Sequence, residues 1–246
     1  MGNKLSLTLF FFLFWLTSSY AQVDARLFQY PDISKDQIAF TYGGDIWTVS
    51  TTGGTATRLT SAKGNEIFAK FSPDGSQIAF SGNYDGNTDI YVMPAKGGVP
   101  KRITHHGMTD RLLDWYPDGK SLLFVNSSES GKQRFSQFYK VSVEGGLPEK
   151  LPMAYGEFGS LSPDASKIAF TDRSRIFRTW KRYKGGTAAD IWIFDLESFE
   201  SENITQNNVN DELPMWVGNS VFYLSDQGTD QRFNIWSYNT YTNQIS

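Results

Sequence analysis

Apolar residues along this chain come in short clusters of three to five, each cut off by a turn signal, rather than at helical spacing. The stretch Phe71–Thr104 shows the unit. Phe71 closes one apolar run, and Ser72-Pro73-Asp74-Gly75 is a tight turn in which proline presets φ and glycine supplies a positive φ. Ile78-Ala79-Phe80 reads as a second strand, Asp89-Ile90-Tyr91-Val92 as a third after the Asp85-Gly86-Asn87 turn, and Lys101-Arg102-Ile103-Thr104 as a fourth after Gly97-Gly98.

The same register returns five times. The third-strand aromatic falls at Trp47, Tyr91, Tyr139, Trp192 and Trp236, at intervals of 44, 48, 53 and 44 residues. Second strands recur at Ile38-Ala39-Phe40, Ile78-Ala79-Phe80, Leu122-Leu123-Phe124, Ile168-Ala169-Phe170 and Val221-Phe222-Tyr223. First strands end at Ile33, Phe71, Trp115, Leu161 and Trp216, and fourth strands are expected at Arg58-Leu59-Thr60, Lys101–Thr104, Lys150-Leu151 and Asn203-Ile204-Thr205. Units of ~40–50 residues with four strands each specify a β-propeller. The strands are apolar on both faces, as in a blade flanked by two neighbours, whereas a sheet with one wet face would alternate. The fold class is therefore all-β: four-stranded antiparallel blades, with five repeat units present and a sixth of ~40 residues expected to follow.

An up-and-down blade puts the first-to-second and third-to-fourth turns on one face of the disc. The second-to-third loops and the blade links lie on the other. The turns of the first face are short; the loops of the second vary in length, from Thr41–Gly44 to Thr171–Ala189. Function carried by loops belongs on that second face.

Composition adds limits. Aromatics at 15% and 22 glycines suit short strands and tight turns, and a net charge of −3 does not suggest nucleic-acid binding. Lys4, the apolar run Leu5–Leu16 and Ser19-Tyr20-Ala21 have the form of a signal peptide over residues 1–21, with a propeller domain over 22–246. Export to the periplasm or outside the cell is expected, with no membrane attachment after cleavage. The chain has no cysteine, so stability comes from packing without disulfides.

The loop Thr171–Thr187 holds six Lys or Arg among Phe177, Trp180 and Tyr183. Two readings stand: a cationic, aromatic patch near the pore that holds a peptide carboxylate through Arg178, Lys181, Arg182, Tyr183 and Lys184, or a solvated hairpin of stacked Arg–aromatic pairs. Asn83–Asp89 has oxygen ligands at alternate positions but lacks the order and distal glutamate of a calcium loop, and a hairpin turn accounts for it. His105 and His106 are adjacent, so they point apart on an extended chain and chelate poorly. No serine sits in a Gly-x-Ser-x-Gly setting. No metal, cofactor or catalytic residue is expected in this chain.

The repeat Ser-Pro-Asp-Gly…Ile-Ala-Phe…Asp-Ile-Tyr…Gly-Gly…Arg-Ile-Thr resembles the TolB/tricorn class of propeller repeats. Tyr30–Phe40 with Asp45-Ile46-Trp47, and Trp180-Lys181-Arg182-Tyr183-Lys184-Gly185-Gly186-Thr187 before Asp190-Ile191-Trp192, resemble the N-terminal six-bladed propeller of tricorn proteases. The resemblance implies a non-catalytic propeller that gates or binds peptides or unfolded polypeptide for a large serine peptidase active in proteolysis, and the signal peptide adds export. A second propeller, a PDZ domain and a Ser/His catalytic core would follow in the same chain, the whole assembled as a homo-oligomer. The alternative is a TolB-like periplasmic propeller that binds a protein partner.

Overall fold

The computed structural model describes residues 27–131, 135–179 and 183–246. The expected signal peptide lies outside them. Five four-stranded antiparallel sheets follow one another along the chain. Blade 1 is β1 (Gln29–Ser34), β2 (Gln37–Tyr42), β3 (Asp45–Ser50) and β4 (Thr57–Arg58). Blade 2 is β5 (Glu66–Phe71), β6 (Gln77–Gly82), β7 (Asp89–Pro94) and β8 (Lys101–Arg102). Blade 3 is β9 (Arg111–Trp115), β10 (Ser121–Asn126), β11 (Gln137–Ser142) and β12 (Glu149–Lys150). Blade 4 is β13 (Phe158–Leu161), β14 (Lys167–Thr171), β15 (Ile191–Asp195) and β16 (Ser201–Asn203), and blade 5 is β17 (Asp211–Val217), β18 (Ser220–Ser225), β19 (Asn234–Asn239) and β20 (Gln244–Ile245).

The Ser-Pro-Asp turns owe their shape to side chains as well as to proline. Ser72 Oγ donates to Asp74 at 2.6 Å and accepts from Gln77 N at 2.9 Å, while Asp74 accepts from Ser76 N at 3.0 Å. Ser162, Asp164 and Ser166 repeat the arrangement in blade 4. These hydrogen bonds hold both carboxyls well below the usual range, at about 2.

The fourth strands are shorter than their apolar pattern suggests. Leu59, Ile103, Leu151 and Ile204 still donate their N–H to Ile46, Ile90, Phe138 and Ile191 O. The next residue then turns away. Its hydroxyl takes over the pairing: Ile46 N donates to Thr60 Oγ1, Ile90 N to Thr104 Oγ1 and Ile191 N to Thr205 Oγ1, at 2.9–3.0 Å. A threonine side chain thus ends the ladder without orphaning the third strand's N–H.

Each new blade starts by hydrogen bonding to the residue just before the previous blade's third strand or two residues before it. Glu66 N donates to Gly44 O, Asp110 N to Thr88 O, Gly156 N to Ser136 O and Asp211 N to Ala189 O, at 2.8–3.0 Å. This clamp fixes the links and the second-to-third loops to one face.

A second belt runs along the innermost strands. Asp32 accepts from Lys70 Nζ at 3.0 Å and Phe71 N at 2.8 Å. Trp115 Nε1 donates to Lys70 O at 2.9 Å, Asp114 accepts from Ser160 Oγ at 3.1 Å and Leu161 N at 3.3 Å, and Ser160 Oγ accepts from Trp216 N at 3.0 Å. Blades 1 to 5 are thereby joined in order.

Apolar packing fills the spaces between blades: Ala39 and Ile46 of blade 1 meet Ile78 and Phe80 of blade 2, and Ile191 of blade 4 meets Val221 and Tyr223 of blade 5. Among the described residues, no strand of blade 5 packs against blade 1 as each earlier blade packs against its successor. Leu27 and Ile33 on blade 1, and Met215, Val217 and Ile235 on blade 5, are exposed.

Candidate functional site

Bulges in the innermost strands aim side chains at the axis. β1, β5 and β17 carry a bulge that contains a residue of positive φ: Tyr30 (51°), Phe68 (58°) and Leu213 (54°). The extra residue of a bulge re-aims a side chain that the pleat would send elsewhere. The rings of Tyr30 and Phe68 lie 4.1 Å apart, and Phe68 of blade 2 reaches Phe158 of blade 4 at 6.1 Å. Those two blades are not neighbours, so this contact crosses the disc. Three aromatic rings, from blades 1, 2 and 4, thus meet across the centre of the disc.

The long loop between β14 and β15 caps that cluster from the loop-bearing face. Phe177 stacks on Phe158 with ring centroids 5.7 Å apart and 15° between planes. The Arg111 guanidinium sits 4.7 Å from both ring centroids and donates to Glu157 O at 2.8 Å. Burial lowers its pKa to about 10, against the pull of the nearby Glu157 carboxylate, and its Nε has no hydrogen-bond partner. Beside it a cavity of about 280 Å³ is lined by the hydroxyl-bearing Ser81, Thr88, Thr109 and Ser127, with Arg111 and Phe177.

Glu157, just before β13, and Glu212, the second residue of β17, hold the first half of this loop. Arg178 binds Glu157 with both ends of its fork, at 2.8 and 2.5 Å, and Nη1 also donates to Ser174 O. Ser174 N donates to Glu157 at 2.8 Å, and its hydroxyl to Glu212 at 2.6 Å. Arg175 N donates to Glu212 at 2.8 Å while its guanidinium covers the Phe233 ring at 4.4 Å. Burial raises the Glu212 carboxyl, against the opposing bonds from Ser174 and Arg175.

The expected patch residues are therefore not equivalent. Arg178 serves as the loop's own clamp. Tyr183 and Lys184 are exposed on the returning half, where Asn210 Nδ2 donates to Tyr183 O at 2.8 Å. Lys181 and Arg182, with Trp180, lie outside the described residues. Arg175 follows the stacked Arg–aromatic reading, and so does Arg111, which sequence spacing did not single out. Its signal was an arginine at the start of an innermost strand, where blades 2, 4 and 5 carry Ile67, Phe158 and Glu212.

The remaining motifs have local partners. Asn87 Nδ2 bridges Asp89 and His106 O, and Asp85 faces Arg102 at 3.4 Å. His105 and His106 are exposed in the link between blades 2 and 3, where His106 Nδ1 accepts from Met108 N. Among the described residues no group of three or more His, Asp or Glu is placed to hold a metal ion.

Residues 25–246 match the family model of the tricorn protease N-terminal beta propeller domain. Tricorn protease homolog 1 of Streptomyces coelicolor is 30% identical over 205 residues, covering 82% of this chain and 19% of that protein. The chain thus spans about a fifth of that relative's length. A crystal structure of the tricorn protease superposes with a TM-score of 0.75 at 23% identity, over 89% of this chain and 22% of the other. TolB from Acinetobacter baumannii superposes with a TM-score of 0.69 at 23% identity, over 89% of this chain and 53% of the other.

Proposed function

The chain belongs to the tricorn protease N-terminal β-propeller family, and from that premise we propose that it is the non-catalytic, peptide-handling propeller of an exported tricorn-type serine peptidase. The observation that carries this reading is the cluster at the centre of the disc: Phe177 and Arg111 stack on Phe158, which meets Phe68 and, through it, Tyr30, next to a cavity bearing several hydroxyls and Asp110. Such a cluster gates passage if the loop carrying Phe177 swings away. The exposed Tyr183 and Lys184, with Lys181 and Arg182, supply the contact for a peptide carboxylate, and Arg178 holds the loop in place. A sixth blade seated on the exposed apolar flanks of blades 1 and 5 would complete the ring, and the hydrolytic residues belong to a downstream core of the same oligomeric protein. The TolB likeness, at 23% identity, speaks for the fold alone.

Two measurements test this. The purified chain should bind a short peptide with a free C-terminus and lose binding when that carboxylate is amidated, while hydrolysing none of it. The full-length protein should cleave the same peptide. Inhibitor-sensitive cleavage by the isolated chain, or binding indifferent to amidation, would overturn the reading.

A further inference from the structure

The rim between blades 3 and 4 holds a second cavity of about 240 Å³, on the outer side of the disc. It is lined by Tyr155 from the link and by Phe170, Asp172, Trp192 and Phe194 of blade 4. Phe170 pairs directly with Trp192 across the ladder. Alternation along β15 places Phe194, two residues beyond Trp192, on the same side of the sheet, and Asp172, just past the end of β14, faces the same cavity. Tyr155 is exposed.

Blades 1 and 2 differ from blade 4 at the equivalent place. In blade 1, Arg58 lies opposite Trp47 and closes on Asp45 at 2.8 Å. In blade 2, Arg102 lies opposite Tyr91 and closes on Asp89 at 2.6 Å. Each of these third-strand carboxylates is matched by a guanidinium beside the aromatic ring. In blade 4 the residue opposite Trp192 is Asn203, and it offers Asp190 only a neutral amide, at 2.8 Å. A second carboxylate, Asp172, stands nearby. Burial, and the negative charge of Asp190, raise its pKa, although Arg173 acts in the opposite sense. Arg178, whose field Asp172 also feels, is engaged by Glu157. Among the described residues, blade 4 therefore keeps the acid and the aromatic ring of blades 1 and 2 but has Asn203 where they have a cation, and the cavity lined by Asp172 and Trp192 adjoins that same ring.

We propose that this cavity is a binding site for a guanidinium or ammonium group, filled by an arginine or lysine side chain supplied from outside the chain. Aromatic walls with a carboxylate at one side suit such a group: the rings attract its charge and the acid sets its direction. The site is separate from the axis, and it stands whether or not the propeller handles peptide carboxylates.

Calorimetric titration of the chain with Nα-acetyl-arginine amide, against its uncharged isostere Nα-acetyl-citrulline amide, tests the proposal. The arginine derivative should bind and the citrulline derivative should bind at least tenfold more weakly. Asp172→Asn should weaken binding at least tenfold, and it should fold, because it removes a half-buried charge that burial already disfavours. Asn203→Arg transplants the built-in cation of blades 1 and 2. It should abolish binding while raising the thermal midpoint by a few degrees. A five-residue peptide with one central arginine and both ends blocked distinguishes sources: tighter binding than the single residue points to a peptide-borne side chain, and equal binding to a free cation. Equal binding of arginine and citrulline derivatives, or unchanged binding by Asp172→Asn, would refute the site.

Discussion

Asp114→Ala tests whether the belt of the innermost strands holds the blades together. Asp114 of β9 accepts hydrogen bonds from two donors of blade 4, Ser160 Oγ and Leu161 N. Its other oxygen accepts from Trp115 N at 2.9 Å. Hydrogen bonds to an ionised group contribute roughly 1.5–3 kcal/mol each, and stripping the acceptor leaves both inter-blade donors, Ser160 Oγ and Leu161 N, unmatched. The Leu161 contact is long at 3.3 Å, and the burial that raises the Asp114 carboxyl offsets part of its value, so each of the two inter-blade bonds is taken at the low end. The expected loss is about 3 kcal/mol. In a domain of 150–250 residues each kcal/mol moves the midpoint by roughly 2–4 °C, so Tm should fall by about 6–12 °C. Urea unfolding followed by tryptophan fluorescence suits the question, since Trp115 and Trp216 both belong to the belt. Asp118→Ala is the control: Asp118 is exposed in the adjacent turn and accepts only from Lys120 N within it. If Asp114→Ala costs under 1 kcal/mol, or no more than Asp118→Ala, the belt does not join the blades and apolar packing alone does.

Stability should also respond to pH through Asp110, whose carboxyl burial lifts to about 6, opposed by hydrogen bonds from Thr104 and Asn126 and helped by Asp89. The folded state then holds a proton between pH 6 and 4 that the unfolded state, near the ordinary value of ~3.9, does not. Stability should rise as pH falls through that window, by up to ~3 kcal/mol, and Asp110→Asn should flatten that part of the urea-midpoint profile. An unchanged profile in the variant would assign the slope to other groups. Gly64 lies where a Cβ would fall 1.5 Å from Asn83 O, a backbone atom with no freedom to retreat. Gly64→Ala should therefore cost 3 kcal/mol or more in urea unfolding, on the order of a severe core overpacking; a loss below 1 kcal/mol would show that the link yields.

Much of this protein follows from local chemistry. A Pro-Asp pair sets the first turn of blades 2, 3 and 4, with a flanking serine in blades 2 and 4, and paired glycines set the third turn of blades 1 to 3. The same residues make the same turn wherever they stand. That is why five units, their strand order and the face with the long loops were legible along the chain, and why Arg58 and Arg102 could be placed in fourth strands. The axial cluster was not legible. It depends on bulges at Tyr30, Phe68 and Leu213, which slip the pleat by one residue and turn a side chain to a new direction. Nor could spacing say that Arg178 would be claimed by Glu157, 21 residues away, or that Ser160 would link Asp114 to Trp216. Turns are decided by neighbours in the chain. The partners of a charged or aromatic side chain near the axis are decided by neighbours in space, and those exist only once the blades have been set around a common centre.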